Sequence, residues 1–371
     1  MLRRLTLLLG SGSAFVARPA LRSVRAKRAA PTMVLAPAAA QVVRVGIPTV
    51  VAVFAGVLIK QRLDRPSRPY AAPGDDKRGS VGREYDAWTK EGILEYYWGE
   101  HIHLGWYTDE ELARRWYGSR RLGFLRKNFV EAKYNFTQRM LDWGEITPMV
   151  QPKILDVGCG IGGTTRYMAN LLPGSNITGI TLSPEQAKRA TALAKERDVP
   201  NANFQVMNAL VMDFPDNSFD AVWGCESGEH MPDKKKYVQE MSRVLKPGGR
   251  MVIATWCQRD NSTQSFTAEE EQSLDFLYSE WTHPYFISIK DYSDLLNANG
   301  MKEVKTADWW KNTIASWRHS IWVGVFDPWP VVRAGPKMWW KCLRDGICLE
   351  RMHRAFDRKL MAYGMITGVK A

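Results

Sequence analysis

The chain has 371 residues, 45% of them hydrophobic, enough for one large domain or two ordinary ones around a sizeable core. Its net charge of +12 sits at one end: residues 1–70 hold twelve Lys and Arg against Asp64 alone, so the remainder is near neutral and lacks the basic footprint of a nucleic-acid binder. Five cysteines, Cys159, Cys225, Cys257, Cys342 and Cys348, odd in number and without C-x-x-C spacing, argue against a disulfide framework and a zinc site and fit a reducing compartment.

Residues 1–44 are rich in Arg, Ala, Ser and Pro, contain no acid and begin with an apolar run behind Arg3 and Arg4, the composition of a targeting presequence. Within them S-G-S-A-F-V-A-R-P (Ser11 to Pro19) resembles the signal/transit junction of plastid proteins in algae with secondary plastids. From Val45 to Ile59 the residues are uncharged and mostly apolar, enough for about 22 Å of helix against roughly 30 Å of bilayer hydrocarbon. Two readings stand, a short membrane anchor or part of the leader, and a linker follows to residue 79. Residues 80–145 are dense in charge and aromatics at helical spacing (Glu131, Tyr134, Phe136, Met140, Trp143), predicting a helical lid ahead of a sheet.

The stretch K-I-L-D-V-G-C-G-I-G-G-T-T-R-Y-M-A-N from Lys153 to Asn170 is an apolar strand, an acid, a glycine cluster and a helix start. Gly158, Gly160, Gly162 and Gly163 let the backbone turn and approach a ligand, and the helix that follows offers unpaired N–H groups, so a nucleotide-like cofactor is implied. A redox dinucleotide would want an acid about 20 residues on for its ribose. Thr181 ends the next strand instead, while Asp156 stands where a carboxylate can receive the ammonium end of S-adenosylmethionine.

Beyond the loop the pattern predicts strand 176–182, helix 184–197, strands 203–207 and 219–225, helix 233–245 and strand 250–256. This is βαβ punctuation and hence a parallel sheet. Ser183-Pro184-Glu185 reads as a helix start, and Pro247-Gly248-Gly249 as a helix stop and turn. The core is expected over 146–260, followed over 261–371 by a mainly helical region (264–300), strand 302–308, more helix and a closing strand, Gly364 to Val369.

The motifs D-V-G-C-G-I-G-G, G-I-T-L-S-P-E-Q-A-K-R-A, F-Q-V-M-N-A-L, F-D-A-V-W-G-C-E-S-G-E-H-M-P-D-K, L-K-P-G-G-R and A-T-W-C-Q-R together resemble the tocopherol-pathway C-methyltransferases over roughly residues 80 to 371. E-S-G-E-H-M-P-D-K, T-W-C, T-A-D-W and A-Y-G-M-I-T-G-V-K are similar to the γ-tocopherol methyltransferases, the first choice here. The block Y-D-A-W-T-K-E-G-I-L-E-Y-Y-W-G-E-H-I-H-L-G (Tyr85 to Gly105) also resembles enzymes that methylate 2-methyl-6-phytylbenzoquinol.

The resemblance implies an α/β, Rossmann-like class I methyltransferase fold. Its seven-stranded, mostly parallel sheet would carry helices on both faces, an N-terminal helical lid and a C-terminal helical insertion before the last strand. It implies S-adenosylmethionine held by Asp156, Gly158, Cys159, Gly160, Gly162, Gly163, Thr181, Leu182, Gln186, Asn208, Ala209 and Glu226, with Gln186 on the ribose. Asn208 stands where relatives commonly have Asp to accept from the adenine amino group, a role an amide oxygen can also fill. It further implies a prenylated phenol or quinol substrate and a plastid membrane surface.

Methylation of a ring carbon needs donor and acceptor in line and a phenol made electron-rich by a base. Glu226, Glu229 and His230, after the fourth strand, are the candidates, with His230 favoured as base and Glu226 as its orienter. Tyr96, Tyr97 and Trp98, with His101 and His103 on one side of an extended segment, suggest a lid whose rings attract a sulfonium; no metal is expected, since no third ligand follows the two histidines. Trp309, Trp310, Trp317, Trp322, Trp329, Trp339 and Trp340, interleaved with Arg318, Arg333 and Lys337, suit a membrane interface or a prenyl tunnel, with core packing as the alternative. A sterol or small-amine methyltransferase and a nicotinamide oxidoreductase remain the competing readings.

Overall fold

The computed structural model describes residues 80–371 except Thr263, Trp281 and Thr282. The expected presequence, apolar segment and linker lie outside the described residues. Seven strands, β1 (Lys153–Val157), β2 (Asn176–Thr181), β3 (Ala202–Val206), β4 (Phe219–Cys225), β5 (Leu245–Gln258), β6 (Met301–Asp308) and β7 (Met361–Lys370), form one sheet in the order β3-β2-β1-β4-β5-β7-β6. β1 to β5 run parallel, and β7 is antiparallel to both β5 and β6. Chain order reverses between β1 and β4, which opens a crevice at the carboxyl ends of those strands.

The central strands of the sheet are buried on both faces, and the edge strands β3 and β6 are largely exposed. Alternation along β1 sends Ile154 to one layer, with Phe136, Met140 and Met168, and Leu155 to the other, with Tyr237, Val238 and Met241. Helices Phe129–Trp143 and Gly163–Leu171 thus cover the first face, and helices Lys234–Val244 and Ile289–Ala298 the second. The insertion between β6 and β7 is helical, chiefly Ala315–Phe326, Trp329–Ala334 and Pro336–Asp357. Among the described residues no helix is long and apolar enough to cross a membrane.

Two local expectations are revised. Pro247-Gly248-Gly249 is not a free turn: Leu245 pairs with Phe219 and Arg250 with Ala221, so the intervening residues bulge from β5, with Gly248 at φ 76°. The stretch 264–300 is two helices, Ala268–Glu280 and Ile289–Ala298, and His283 and Phe286, which fall between them in the chain, are buried.

Ahead of β1, helix Ser80–Glu91 packs on helix Pro184–Glu196, where Asp86 accepts from Ser183 Oγ and from Glu185 N at 3.3 Å. The short helix Ile93–Trp98 is held by Lys133, whose Nζ donates to Trp98 O at 2.8 Å and lies 3.4 Å from the Phe129 ring centroid. Next, Glu100 pairs with Arg166 at 2.7 Å and with Arg197, and so lies down over the glycine loop. A Cβ on Gly163 would come within 2.1 Å of Glu100 O. Gly163→Ala should therefore lower the unfolding free energy by roughly 1–3 kcal/mol in urea denaturation; an unchanged midpoint would mean that the Glu100 segment is not pinned there.

Candidate functional site

A cavity of about 370 Å³ occupies the crevice, floored by the ends of β1, β2 and β4 and roofed by Val81, Gly82, Tyr85 and the segment Glu100 to His103. Gly158 (φ 87°) has no room for a side chain, since a Cβ would fall 2.4 Å from Ser227 Cβ. Gly160 (φ 55°) faces open space, the nearest atoms to its Cβ being Ile102 Cδ1 at 3.9 Å and Gln186 Nε2 at 4.0 Å. One glycine closes the β1 loop on the β4 loop, and the other leaves the cavity clear. Cys159 lines the cavity as well, whereas Gly162 and Gly163 lie behind it, against Phe204 and Glu100.

Asp156 is buried in the cavity floor and accepts from Thr165 Oγ1 at 2.6 Å. Burial pushes its carboxyl up to about 7, against the single opposing hydrogen bond from Thr165. At the far end Thr181 Oγ1 donates to Gln186 Oε1 at 2.7 Å, leaving the Gln186 amide N–H groups toward the glycine loop. Leu182, Asn208 and Ala209 complete that end, and Asn208 Oδ1 already accepts from Leu210 N at 2.9 Å, which leaves it one further lone pair.

A second cavity of about 550 Å³ lies between the N-terminal helices and the inserted C-terminal helices. Its walls are mostly apolar, and it shares Val81, Tyr85, Ile102, Glu226 and His230 with the first. His230 therefore faces both cavities. Its Nε2 is 3.0 Å from Tyr85 OH and its ring stacks on His283 with centroids 4.7 Å apart. Enclosure pulls its pKa down to about 3, with Lys234 adding to the shift, so the imidazole is neutral at ordinary pH.

Glu226 does not orient His230. Held at φ 48°, it accepts on Oε1 from Leu104 N at 2.8 Å and from Tyr363 OH at 2.6 Å. Glu229 is more deeply buried, accepts from Thr255 Oγ1 at 2.8 Å and borders the second cavity. Burial, and for Glu226 the neighbouring Glu229 carboxyl, pushes both above the usual carboxylate range.

Tyr97 and Trp98 line the second cavity rather than the first, and Tyr96 OH reaches outward to Asp327 Oδ2 at 2.6 Å. His101 and His103 do lie side by side, Nδ1 to Nε2 at 3.3 Å, but they also bond Thr164, Thr137 and Leu104 O, and burial lowers both pKa values. Among the described residues no group of three His, Cys, Asp or Glu could hold a metal ion. Sequence reasoning assigned no role to Tyr85, Trp88, Trp256 or His283, all on the second cavity, which Trp317, one of the tryptophans read as suiting a membrane interface or a prenyl tunnel, also lines. The i, i+3 spacing of Tyr85 and Trp88 was the available signal for the first two.

Residues 155–253 match the methyltransferase domain family. The 2-methyl-6-phytyl-1,4-hydroquinone methyltransferase of Synechocystis sp. is 41% identical over 81% of this chain and 90% of its own. The chloroplastic tocopherol O-methyltransferase of Arabidopsis thaliana is 34% identical over 74% of this chain and 78% of its own. Among solved structures, a geranyl diphosphate C-methyltransferase from Streptomyces coelicolor, in complex with S-adenosyl-L-homocysteine, superposes with a TM-score of 0.61 over 81% of this chain and 100% of that one at 19% identity, a likeness of fold alone. A putative sarcosine dimethylglycine methyltransferase from Galdieria sulphuraria gives 0.63 over 76% of this chain and 98% of its own at 21% identity.

The cofactor is S-adenosylmethionine, and the first cavity fits it: a buried carboxyl at one end, room at Gly160, and amide and hydroxyl groups at the other. Asp156 must ionise to face an ammonium group. Affinity for S-adenosylhomocysteine should accordingly weaken as pH falls below about 7, by up to about tenfold per pH unit, and level off above it. Calorimetry across pH with the wild type and Asp156→Asn checks this, because the variant should bind weakly and lose the slope.

Proposed function

The chain belongs to the tocopherol-pathway methyltransferases, S-adenosylmethionine-dependent enzymes, and from that premise we propose that it methylates a ring carbon of 2-methyl-6-phytyl-1,4-hydroquinone at a plastid membrane surface. The carrying observation is the shared wall: a donor cavity that holds a buried carboxyl at one end and a larger, mostly apolar cavity meet at Tyr85, Ile102 and His230. A phenol ring at that wall has its tail in apolar surroundings and its hydroxyl beside an imidazole. Between the two pathway substrates, the hydroquinone is favoured by where the resemblances fall. The block Tyr85 to Gly105 supplies Trp88, Ile93, Leu94, Tyr97 and Trp98 to the acceptor cavity, and the Synechocystis relative has the higher identity. γ-Tocopherol is the second reading, favoured by the E-S-G-E-H-M-P-D-K loop that carries Glu226, Glu229 and His230.

When bound, S-adenosylmethionine would supply an electrophilic methyl group and leave as S-adenosylhomocysteine, while the ring carbon that gains the methyl gives up its hydrogen as a proton; the protein's part is alignment and removal of the phenol proton that makes the ring electron-rich. His230, kept neutral by enclosure, accepts that proton, and Tyr85 holds the imidazole through Nε2. Glu226 fixes the loop that carries them. With labelled methyl donor, the full chain should convert the hydroquinone faster than γ-tocopherol, and transfer to neither would end the reading. His230→Ala should lower kcat about 10²-fold with cofactor affinity kept.

The membrane part rests on Val325, Phe326, Trp329, Val332, Trp339 and Trp340, exposed near the acceptor cavity. Helix Trp329–Ala334 buries none of its residues, and Arg333 and Lys337 flank these rings with positive charge. The composition of residues 1–44 and the chloroplastic relatives support the plastid. Replacing Phe326, Trp329 and Trp340 by Ser should weaken co-sedimentation with anionic lipid vesicles by about tenfold or more, while detergent-dispersed substrate is still turned over.

A further inference from the structure

Glycine inside a helix costs about 0.5–1 kcal/mol relative to alanine, so a helical glycine asks for a reason. The other described glycines give one: a positive φ, or neighbours within 4 Å of an added Cβ. Gly324 and Gly346 have neither. They lie on the two packed helices Ala315–Phe326 and Pro336–Asp357, both are half-buried, and both line the acceptor cavity.

Each glycine falls on the cavity-facing stripe of its helix. On the first helix the lining includes Trp317, Ser320, Ile321 and Gly324; on the second it includes Trp339, Cys342, Leu343, Gly346 and Leu349, with Met338, Lys341 and Asp345 beside them. Steps of three and four residues put each set on one face. Trp317 is the deep end, buried with its ring centroid 4.8 Å from that of Trp256, while Val325 beside Gly324 is exposed. Gly324 is thus roughly 10 Å farther out along the helix axis than Trp317. An added Cβ at Gly324 or Gly346 would meet no atom within 4 Å, and both glycines border the cavity, so space there is open to a side chain.

The geometry points to Gly324 and Gly346 as the specificity-determining residues for the acceptor's isoprenoid tail, keeping a channel open between facing helices at the cost of helix stability. This deepens the reading that the acceptor is a prenylated phenol and is tested apart from it. The probe is phytol, a tail without a ring, added to the full chain and followed by quenching of tryptophan fluorescence, a readout that needs no turnover.

Gly324→Leu and Gly346→Leu should each weaken phytol binding about tenfold or more, leave S-adenosylhomocysteine affinity unchanged, and lower kcat/KM for the phytyl hydroquinone far more than for the tail-less methylhydroquinone. The doubly substituted Gly324→Ala, Gly346→Ala chain should melt at a higher temperature than wild type and still bind phytol more weakly. A wild-type chain that ignores phytol, leucine variants that bind it as wild type does, or alanine variants that melt lower would each overturn the assignment. Failure of the parent reading shows separately, as no methyl transfer by the wild type to any hydroquinone.

Discussion

The arrangement turns on the Glu226 side chain. It sits where β4 ends, in a left-handed conformation that a residue other than glycine rarely takes, and its Oε1 receives both the backbone N–H of Leu104 and the hydroxyl of Tyr363. One oxygen thereby joins three distant parts of the chain: the segment over the glycine loop, the loop after β4, and the last strand. Enclosing a carboxyl is costly, and these donors offset that cost only while all three parts are in place. The roof of the donor cavity and the shared wall therefore depend on a contact that no single segment can make.

Legibility in the sequence follows the range of the interactions involved. β1, its glycine loop and helix Pro184–Glu196 were readable because their determinants are local: an apolar run, glycines that must turn, and Ser183 accepting from Gln186 N as the cap. The bulge in β5 was not, since Pro247-Gly248-Gly249 suits a turn equally well and only pairing with β4 decides between them. Tyr97 and Trp98 turned away from the donor cavity for a similar reason. Gly92 and Gly99, at φ 67° and 71°, reset the chain direction on either side of helix Ile93–Trp98, and Lys133 from a later helix selects the outcome. Glu226 was read from the sequence as the orienter of His230, but its partners are Leu104 and Tyr363, 122 and 137 positions away, and no spacing rule reaches them.

The two cavities differ in how they are made. The donor cavity is built on strand ends and hydrogen-bonded loops, so its ionisable and polar groups are fixed by the sheet itself. The acceptor cavity is built from what precedes the sheet and what interrupts it before β7, two regions tied by polar contacts: Tyr96 and Tyr97 to Asp327, and Lys341 to Glu91 at 2.6 Å. Such ties are replaceable without disturbing the core. That division leaves the donor cavity to the sheet and the acceptor cavity to segments outside it.

It also locates the chemistry. An enzyme that joins a charged donor to a greasy acceptor must keep water from the first without extending polarity into the second. Among the described residues the surface common to both cavities includes Tyr85 and His230, edge to face at 5.6 Å, with Trp88 of the second cavity likewise against Tyr85 at 5.3 Å. Aromatic rings suit that boundary, being apolar in bulk yet attractive to cations at the face. A neutral imidazole is the polar group such a boundary can hold without leaving a buried charge. The low basicity of His230 is thus the consequence of enclosing it in the wall that the two cavities share.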